Sequence, residues 1–292
     1  MTTMAAVLLC LLSQAAWAAT YYVATPANGG NDTTGNGSRS APWATINKAD
    51  TLKDPLDNTQ PLLKPGDTVI VTAGTYTATA AISFKYSSGT ADAPITYIAQ
   101  GDVIIDAGTI NAAALQVTAV SASVKGADYL VFDGFKVRGG KRSMEVLGGS
   151  YTACREGIVI RNCVFQDVRG TGGAYGAYML TVNHGINCQV YKNIFFINAN
   201  PDAGVGATRA ISFGNTGYLN KIYNNTVYIS GPAGTSSAFY GGYFCNNYST
   251  YANSGYMNPD YMMLDEWGKV TDIVKPEYAD QFKNNIIWVK NN

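Results

Sequence analysis

The stretch Gly157-Ile-Val-Ile-Arg-Asn162-Cys-Val-Phe-Gln-Asp167 places an asparagine between two short runs of apolar and β-branched residues. One earlier and three later stretches repeat this arrangement, centred on Gly134, Asn193, Asn225 and Asn285. The intervals are 28 residues from Gly134 to Asn162, then 31, 32 and 60 residues, the last being about twice the unit. A repeat of this length predicts a solenoid.

Runs of alternating polarity flank each of these positions. Val, Ile, Phe and Tyr recur at every second residue over about 3–5 residues, which is typical of short strands and not of helices. Gly and Asn separate the runs, as they do at turns. A unit of about 30 residues with several short strands predicts an all-β fold, a single-stranded right-handed parallel β-helix in which each strand pairs with its counterpart one coil further along.

The repeated asparagines have a physical reason in such a coil. If they stack at one bend, their side-chain amides can donate to and accept from the amides above and below. We therefore predict a structural hydrogen-bonded ladder made of Asn162, Asn193, Asn225 and Asn285. The column that follows them is predicted to pack in the core and consists of Val137, Phe165, Phe196, Tyr228 and Trp288.

The composition is that of a β protein that is poor in charge. Of 292 residues, 47% are hydrophobic and 14% are charged, 20 are Tyr, and the formal net charge is zero. Soluble domains usually have roughly 25% charged residues. Because the chain has no excess of positive charge, nothing in its composition indicates binding to nucleic acid or to an anionic membrane.

Residues 1–18 are typical of a secretory signal. Residues 4–18 are apolar, too few to span a bilayer, and end in the small-x-small triplet Ala16-Trp17-Ala18. We predict cleavage after Ala18, a β-helix domain over 19–292, no membrane insertion, and a secreted location, extracellular or periplasmic.

The cysteines allow two interpretations in an oxidising compartment. Cys154 and Cys188 fall in what the repeat predicts to be equivalent turns of neighbouring coils, and can then pair. Cys163 occupies an inward strand position and is expected to be a small buried hydrophobe.

A short helix is predicted over residues 43–52. Trp43, Ile46, Ala49 and Leu52 are spaced three apart there, as on one face of an amphipathic helix. Because a solenoid needs its first hydrophobic coil covered, we interpret this helix as the cap.

Motifs in the first part of the chain resemble a known family. They are Tyr-Tyr-Val-Ala from Tyr21, Ser-Ala-Pro-Trp-Ala-Thr-Ile from Ser40, Pro-Gly-Asp-Thr-Val-Ile-Val from Pro65, Gly-Thr-Tyr from Gly74, Ala-Pro-Ile-Thr-Tyr-Ile-Ala from Ala93 and Val-Ile-Ile-Asp from Val103. Over about residues 20–140 the chain resembles the N-terminal half of secreted pectate-lyase-like β-helix proteins, notably family-nine polysaccharide lyases.

The resemblance implies a coil anatomy and a cleft. The Asn bend would join the second and third strands of each coil, and the first strands, each after a variable loop, would line the substrate cleft. These first strands would be Ala114–Thr118, Ser143–Leu147, Ala177–Val182, Ala210–Phe213 and about Gly242–Cys245. The resemblance also implies β-elimination on a uronate polymer, with Lys or Arg as the base and Ca²⁺ held by aspartates.

Basic residues cluster before and along the predicted first strands, as an acidic polysaccharide partner requires. Lys141, Arg142 and Arg169 are the candidates for the base or for a clamp on the substrate carboxylate. The candidates for further substrate binding are Lys136, Arg138, Arg209 and the only histidine, His184. The alternative is that these solvated loops simply collect charge.

Acidic candidates for metal or acid roles are Glu145, Asp167 and Asp202. With these residues Ca²⁺ is the cofactor that the resemblance implies. The outward row Gln116, Glu145, Thr181 and Ser212 supplies a single acid, and no compact run of aspartates like the family's calcium site is found.

Residues 231–280 break the period. They carry Tyr240, Tyr243, Tyr248, Tyr251, Tyr256, Tyr261, Trp267 and Tyr278. We interpret them as a long insertion or an irregular coil that forms a lid or a stacking surface for sugars. No capping segment is visible before Asn292, so this end is expected to be open, packed in self-association, or continued by sequence that is missing.

Three functions stay open at this point. The first is a lyase that cleaves an acidic, uronate-containing polysaccharide. The second is a non-catalytic cell-surface or glycan-binding β-helix. The third is a glycoside hydrolase, which needs two carboxyl groups at roughly 5–9.5 Å. The pairs that could supply them are Asp167 with Asp202 and Asp265 with Glu266.

Overall fold

The computed structural model describes residues 18–120, 126–148, 154–168, 178–198, 208–214, 219–231, 236–241, 262–264, 270–274 and 281–291. These residues wind into a right-handed parallel β-helix of about four turns with almost no helix. The predicted all-β solenoid is thereby confirmed. The predicted signal over 1–18 falls almost wholly outside the described residues.

Strands are numbered along the chain. The chain begins with β1 (Thr20–Val23), a 3-10 turn (Pro26–Asn28) and α1 (Lys48–Thr51), followed by the long strands β2 (Thr68–Thr77) and β4 (Ile95–Asp106). A six-stranded parallel sheet, the first sheet, consists of β3 (Ile82–Phe84), β5 (Ala113–Thr118), β8 (Arg142–Leu147), β12 (Tyr178–Asn183), β16 (Thr208–Gly214) and β19 (Ser236–Gly241).

The other two sides of the coil belong to one 13-stranded sheet that β4 joins. Its second face consists of β6 (Leu130–Asp133), β10 (Val159–Arg161), β14 (Gln189–Tyr191), β17 (Lys221–Tyr223) and β22 (Gln281–Lys283). Its third face consists of β7 (Lys136–Arg138), β11 (Val164–Gln166), β15 (Ile194–Asn198), β18 (Thr226–Gly231) and β23 (Ile286–Asn291). Two short pairs complete the description, β9 (Arg155–Glu156) with β13 (Gly185–Ile186) and β20 (Met262–Leu264) with β21 (Val270–Val274).

Four of the first strands of the coils lie where the sequence places them. Four of the five predicted segments overlap β5, β8, β12 and β16, which pair in sequence order. The predicted segment at about 242–245 lies outside the described residues, and the strand that pairs with β16 is β19 at Ser236–Gly241. Most of the predicted insertion over 231–280 lies outside the described residues, apart from β19 and the antiparallel pair β20–β21.

The asparagine ladder exists, but Asn162 does not belong to it. Asn225 donates from Nδ2 to Asn285 Oδ1 and Asn193 donates from Nδ2 to Asn225 Oδ1, both at 3.0 Å. In the coil before, the backbone amide of Cys163 donates to Asn193 Oδ1 at 2.9 Å. Cys163 therefore occupies the inward position of its coil, and Asn193 and Asn225 are buried behind it.

Asn162 lies in the neighbouring column, where the backbone is left-handed. Its φ is 54°, and the residues at the same corner of the other coils have φ between 53° and 85°, namely Gly134, Lys192, Asn224 and Asn284. Asparagine and glycine are the residues that adopt this conformation at least cost. Two residues turn each corner, and the second of them points inward. At this corner the first is Asn162 and the second is Cys163, so the prediction that Asn162 belongs to the ladder is wrong.

The same one-residue shift divides the predicted core column. Val137 and Phe165 are buried, and Phe165 stacks on Phe195 with ring centroids 5.0 Å apart. In contrast, the register places Phe196, Tyr228 and Trp288 on the outward side of the third face. The prediction that these three residues pack in the core is therefore wrong, since Phe196 and Trp288 are exposed.

In the described coils, no disulfide joins Cys154, Cys163 and Cys188. Arg155 pairs with Gly185, so Cys154 lies opposite His184 and not opposite Cys188. The two thiols are thus not at equivalent turns, and the predicted pairing is wrong in this structure. Cys163 is the expected buried hydrophobe, and burial raises the pKa of its thiol to about 12.

The first coil is covered by the predicted residues in a different conformation. Trp43, Ile46 and Ala49 are buried, but the helix spans only Lys48–Thr51 and the cap helix over 43–52 is not confirmed. Trp43 is extended instead, because its backbone amide donates to Tyr22 O and its carbonyl accepts from Ala24.

Asp50 holds this cap on the coil. Its buried carboxylate accepts the backbone amides of Lys85 at 2.7 Å, Tyr86 at 3.1 Å and Ser87 at 2.8 Å. We expect Asp50→Ala to lower the free energy of unfolding by about 2 kcal/mol, because buried amides would lose their acceptor. Urea unfolding measures this loss, and Asp57→Ala on the exposed neighbouring loop is the control, with an expected cost below about 1 kcal/mol. Equal losses would contradict the assigned role.

Candidate functional site

Two of the predicted basic residues lie away from the first sheet. Lys136 and Arg138 are on β7, and their side chains point outward from the third face. Lys136 Nζ lies 2.8 Å from Asp102 Oδ1, and Arg138 Nη2 lies 2.7 Å from Asp106 Oδ2. The prediction that both belong to the loop before the first-sheet strand is wrong, and both cations are already paired.

A row of polar residues crosses the outward side of the first sheet. The strand register aligns Ser83, Gln116, Glu145, Thr181 and Ser212, as the predicted outward row requires. The row is not open, however, because Glu145 and Thr181 are each 4% exposed and Ser212 is 6% exposed. The sequence placed this row correctly and gave no indication that it is covered.

Glu145 is the centre of this row and is fully engaged. Arg142 Nη1 lies 3.1 Å from its Oε1, and Gln116 Nε2 donates to its Oε2 at 3.0 Å. Gln116 is held in turn, with its Oε1 3.4 Å from Ser83 Oγ. A carboxylate whose two oxygens bind protein donors is a poor cation ligand. In the described part of the chain, no group of three or more His, Cys, Asp or Glu side chains is placed to hold a metal ion.

Around Glu145, three buried polar atoms have no hydrogen-bond partner among the described residues. They are Ser143 Oγ, Thr181 Oγ1 and Arg142 Nε. The Arg142 guanidinium carbon also lies 6.0 Å from the centre of the Tyr178 ring. Buried polar atoms are normally satisfied, so these three atoms are exceptions within the described part of the chain. Sequence reasoning missed Ser143, and its alternation with Met144 and Glu145 on β8 was the available signal.

Lys141 lies at the edge of this cluster. A tight turn of Gly139, with φ 78°, and Gly140, with φ 71°, leads from the third face to Lys141. The Lys141 backbone amide donates to Ile110 O and Ala112 O, both at 3.0 Å. Its half-buried side chain makes no ion pair or hydrogen bond with the other residues described, and Lys141 directly precedes Arg142, which pairs with Glu145.

Asp167 lies at the same edge as Lys141. It directly follows β11 with φ 52°, and its carbonyl accepts the backbone amide of Gly139 at 3.0 Å. Asp167 and the turn that carries Lys141 are thus neighbours in successive coils. Of the other candidates, Arg169 and Asp202 lie outside the described residues, as do Asp265 and Glu266.

Arg209 shares a row with Arg142. The backbone register aligns Arg142 of β8, Tyr178 of β12 and Arg209 of β16. The structure therefore brings the positions of Lys141, Arg142 and Arg209 together at the amino-terminal edge of the first sheet.

His184 lies at the opposite end of the strands. It follows β12 with φ 53°, and six-residue strands separate the two edges by roughly 17–20 Å. The structure thus does not bring His184 to Lys141. Its carbonyl accepts the Arg155 backbone amide at 2.9 Å, and desolvation lowers the pKa of its imidazole below the ordinary 6.5.

This lowered pKa predicts a pH dependence of stability. The unfolded chain binds the proton at higher pH than the folded chain, so stability is present above the unfolded pKa and falls as the pH drops towards the folded pKa. We expect His184→Gln to remove this part of the decline in unfolding free energy between about pH 7 and 5. NMR titration of His184 gives the direct check, and a midpoint at or above 6.5 would contradict it.

The fold and the outward row define the class of this protein, a pectate-lyase-like right-handed parallel β-helix. Among solved structures, pectate lyase Pel9A matches with a TM-score of 0.51 and 19% identity over 73% of this chain and 49% of the lyase. The chain thus spans about half the length of that enzyme, and the likeness establishes the fold.

Two further solved lyases match less closely. An alginate lyase from Paenibacillus sp. str. FPU-7 matches with a TM-score of 0.41 and 13% identity over 94% of this chain and 75% of that chain. A mannuronic acid specific family 6 lyase from human gut microbiota matches with a TM-score of 0.41 and 17% identity over 75% of this chain and 51% of that chain. No protein-family model matches the sequence, and the search of curated proteins finds no match. None of the helices in the described ranges is long and apolar enough to span a membrane.

Proposed function

We propose that the protein is exported and cleaves an acidic, uronate-containing polysaccharide by β-elimination. The observation that supports this proposal is the side chain of Lys141, the sequence neighbour of Arg142 at the edge of the first sheet, which no described residue engages. A polymer with one carboxylate and two hydroxyls on each sugar offers the groups that such a site can bind.

The chemistry assigns distinct tasks to these side chains. Deprotonated Lys141 takes the proton from C5 of the uronate, and the electron pair left on C5 is delocalised into the adjacent carboxylate. The C4–O bond then breaks with formation of a C4–C5 double bond, and the leaving oxygen takes up a proton. Arg142 faces the negative charge that grows on the carboxylate.

Calcium would neutralise the substrate carboxylate in such a reaction if it were bound. The residues predicted to bind it are Glu145, Asp167 and Asp202, of which Asp202 lies outside the described residues. Glu145 does not fit a calcium site, because its carboxylate is bound to Arg142 and Gln116. We therefore assign charge neutralisation to Arg142 and to the positions of Arg169 and Arg209.

Incubation with polygalacturonate and with alginate tests the proposal. The expected result is the ultraviolet absorbance of a new 4,5-unsaturated sugar end, together with an increase in reducing ends. Reducing ends without that absorbance would establish a glycoside hydrolase instead. N-terminal sequencing of the exported protein tests the predicted cleavage, and a start at Ala19 is expected.

A non-catalytic glycan-binding protein is the second candidate. The covered first-sheet row counts against a catalytic cleft there, because the side chains of Glu145, Thr181 and Ser212 are buried. Retention by a uronate polymer without either reaction product would establish this function and overturn the lyase proposal.

A further inference from the structure

In the later coils, the described strands β14, β17 and β22 of the second face contain no Asp or Glu. The described stretches 178–198, 208–214, 219–231 and 281–291 have as their charged residues Lys192, Arg209, Lys221, Lys283 and Lys290.

Three of these lysines lie together, away from the first sheet. The register aligns Gln189, Lys221 and Gln281 in one outward column of the second face, and Tyr191, Tyr223 and Lys283 in the next. Lys192 follows at the exposed corner. We name these residues the second-face surface. None of its lysines makes an ion pair with a residue in the described ranges.

The two tyrosines of this surface show which groups they offer to a ligand. Tyr191 and Tyr223 stack with their centroids 4.8 Å apart and their planes 8° apart, so the ring faces cover each other and the hydroxyl edges point outward. Tyr223 Oη lies 3.3 Å from Gln189 Oε1, to which it donates, and Tyr191 accepts from Arg161 Nη1 at 3.1 Å. The surface therefore offers hydroxyls, amides and ammonium groups.

This geometry favours a sugar polymer over a nucleic acid. Proteins that bind single-stranded nucleic acid use open aromatic faces on which bases stack. Here the two tyrosine rings cover each other's faces, so those faces are not available to bases. The lysine ammonium groups and the polar edges of the side chains remain available, and these are the groups that bind carboxylates and sugar hydroxyls. Neighbouring strands are about 4.8 Å apart, so a chain along the solenoid axis meets a cation or an amide at each coil.

We infer that the second-face surface is a second binding site for an acidic polysaccharide, separate from the first-sheet site. It would hold an extended uronate chain along the axis through Lys192, Lys221 and Lys283. The choice of uronate as ligand rests on the proposed function, but the charge and the geometry of the surface do not.

Affinity electrophoresis in gels that contain polygalacturonate tests this inference. The variant Lys192→Glu/Lys221→Glu/Lys283→Glu is expected to bind at least about tenfold more weakly than the unsubstituted protein. The matched control Lys48→Glu/Lys53→Glu/Lys85→Glu changes the net charge by the same amount on the first coils, and its affinity is expected to change less than about twofold. Neutral dextran gels should retard none of the three proteins.

The outcomes separate the alternatives. An equal loss of affinity in both triple variants would overturn the inference, because net charge alone would then determine retention. Stronger binding of single-stranded DNA, lost with the same three lysines, would also overturn it. Retention is read independently of turnover, so a protein that is retained through these lysines and does not cleave contradicts the lyase proposal alone.

Discussion

Replacing Lys141 by alanine is expected to lower kcat by about 100- to 10,000-fold, which is the usual contribution of a general base. The substrate is the uronate polymer that the unsubstituted protein cleaves. Lys141 is the half-buried cation at the edge of the first sheet that no described residue engages. Its backbone is fixed by bonds to Ile110 and Ala112, so the substitution removes the amine and leaves the turn in place. Initial rates of formation of the unsaturated product measure the effect, with KM determined separately.

A lysine five residues upstream provides the control. Lys136 is paired with Asp102 on the third face, so Lys136→Ala is expected to change kcat less than about twofold. Arg142→Ala and Arg169→Ala complete the series. Unchanged turnover in the variants of Lys141, Arg142 and Arg169 would exclude the whole basic strip as the catalytic site.

The strand alignment of the candidate site could be predicted, whereas the state of its side chains could not. The repeat, together with the coil anatomy that the family resemblance implies, placed β8 and β12 in one sheet and aligned Glu145 with Thr181. Charge pairing depends on the neighbouring coil, which a local pattern does not reveal. Arg138 appeared available for substrate in the sequence, but the register places Asp106 directly beside it.

Corner geometry limited the prediction of register. Two residues turn each corner, and in Asn224–Asn225 and Asn284–Asn285 both are asparagine, so the pattern alone does not tell which of them points inward. The structure distinguishes them by backbone conformation, with φ of 55° at Asn224 and 53° at Asn284. The one-residue error changes faces, because side chains alternate along a strand, and it moved Phe196, Tyr228 and Trp288 from the core to the surface.

Asn225→Ala is expected to be the most destabilising of the ladder substitutions, at about 3 kcal/mol. Asn225 is fully buried, its Oδ1 accepts the Asn193 backbone amide at 3.1 Å and the Asn193 side chain at 3.0 Å, and its Nδ2 donates to Val190 O at 2.9 Å. Alanine would leave these buried groups without partners, and each such group costs about 1–3 kcal/mol. Urea unfolding measures the loss, and an unchanged m-value would show that the denatured state is not altered.

The substitution Asn162→Gly tests whether Asn162 belongs to the ladder or only to the left-handed corner. Glycine adopts the φ of 54° without strain, and the substitution removes only an exposed bond from Nδ2 to Asp133 Oδ1 at 2.7 Å. Its expected cost is below about 1 kcal/mol. If Asn162→Gly destabilised the protein as much as Asn225→Ala, Asn162 and not Cys163 would carry the inward position. Because side chains alternate along a strand, that result would also move Phe165 from the core to the outward side of the third face.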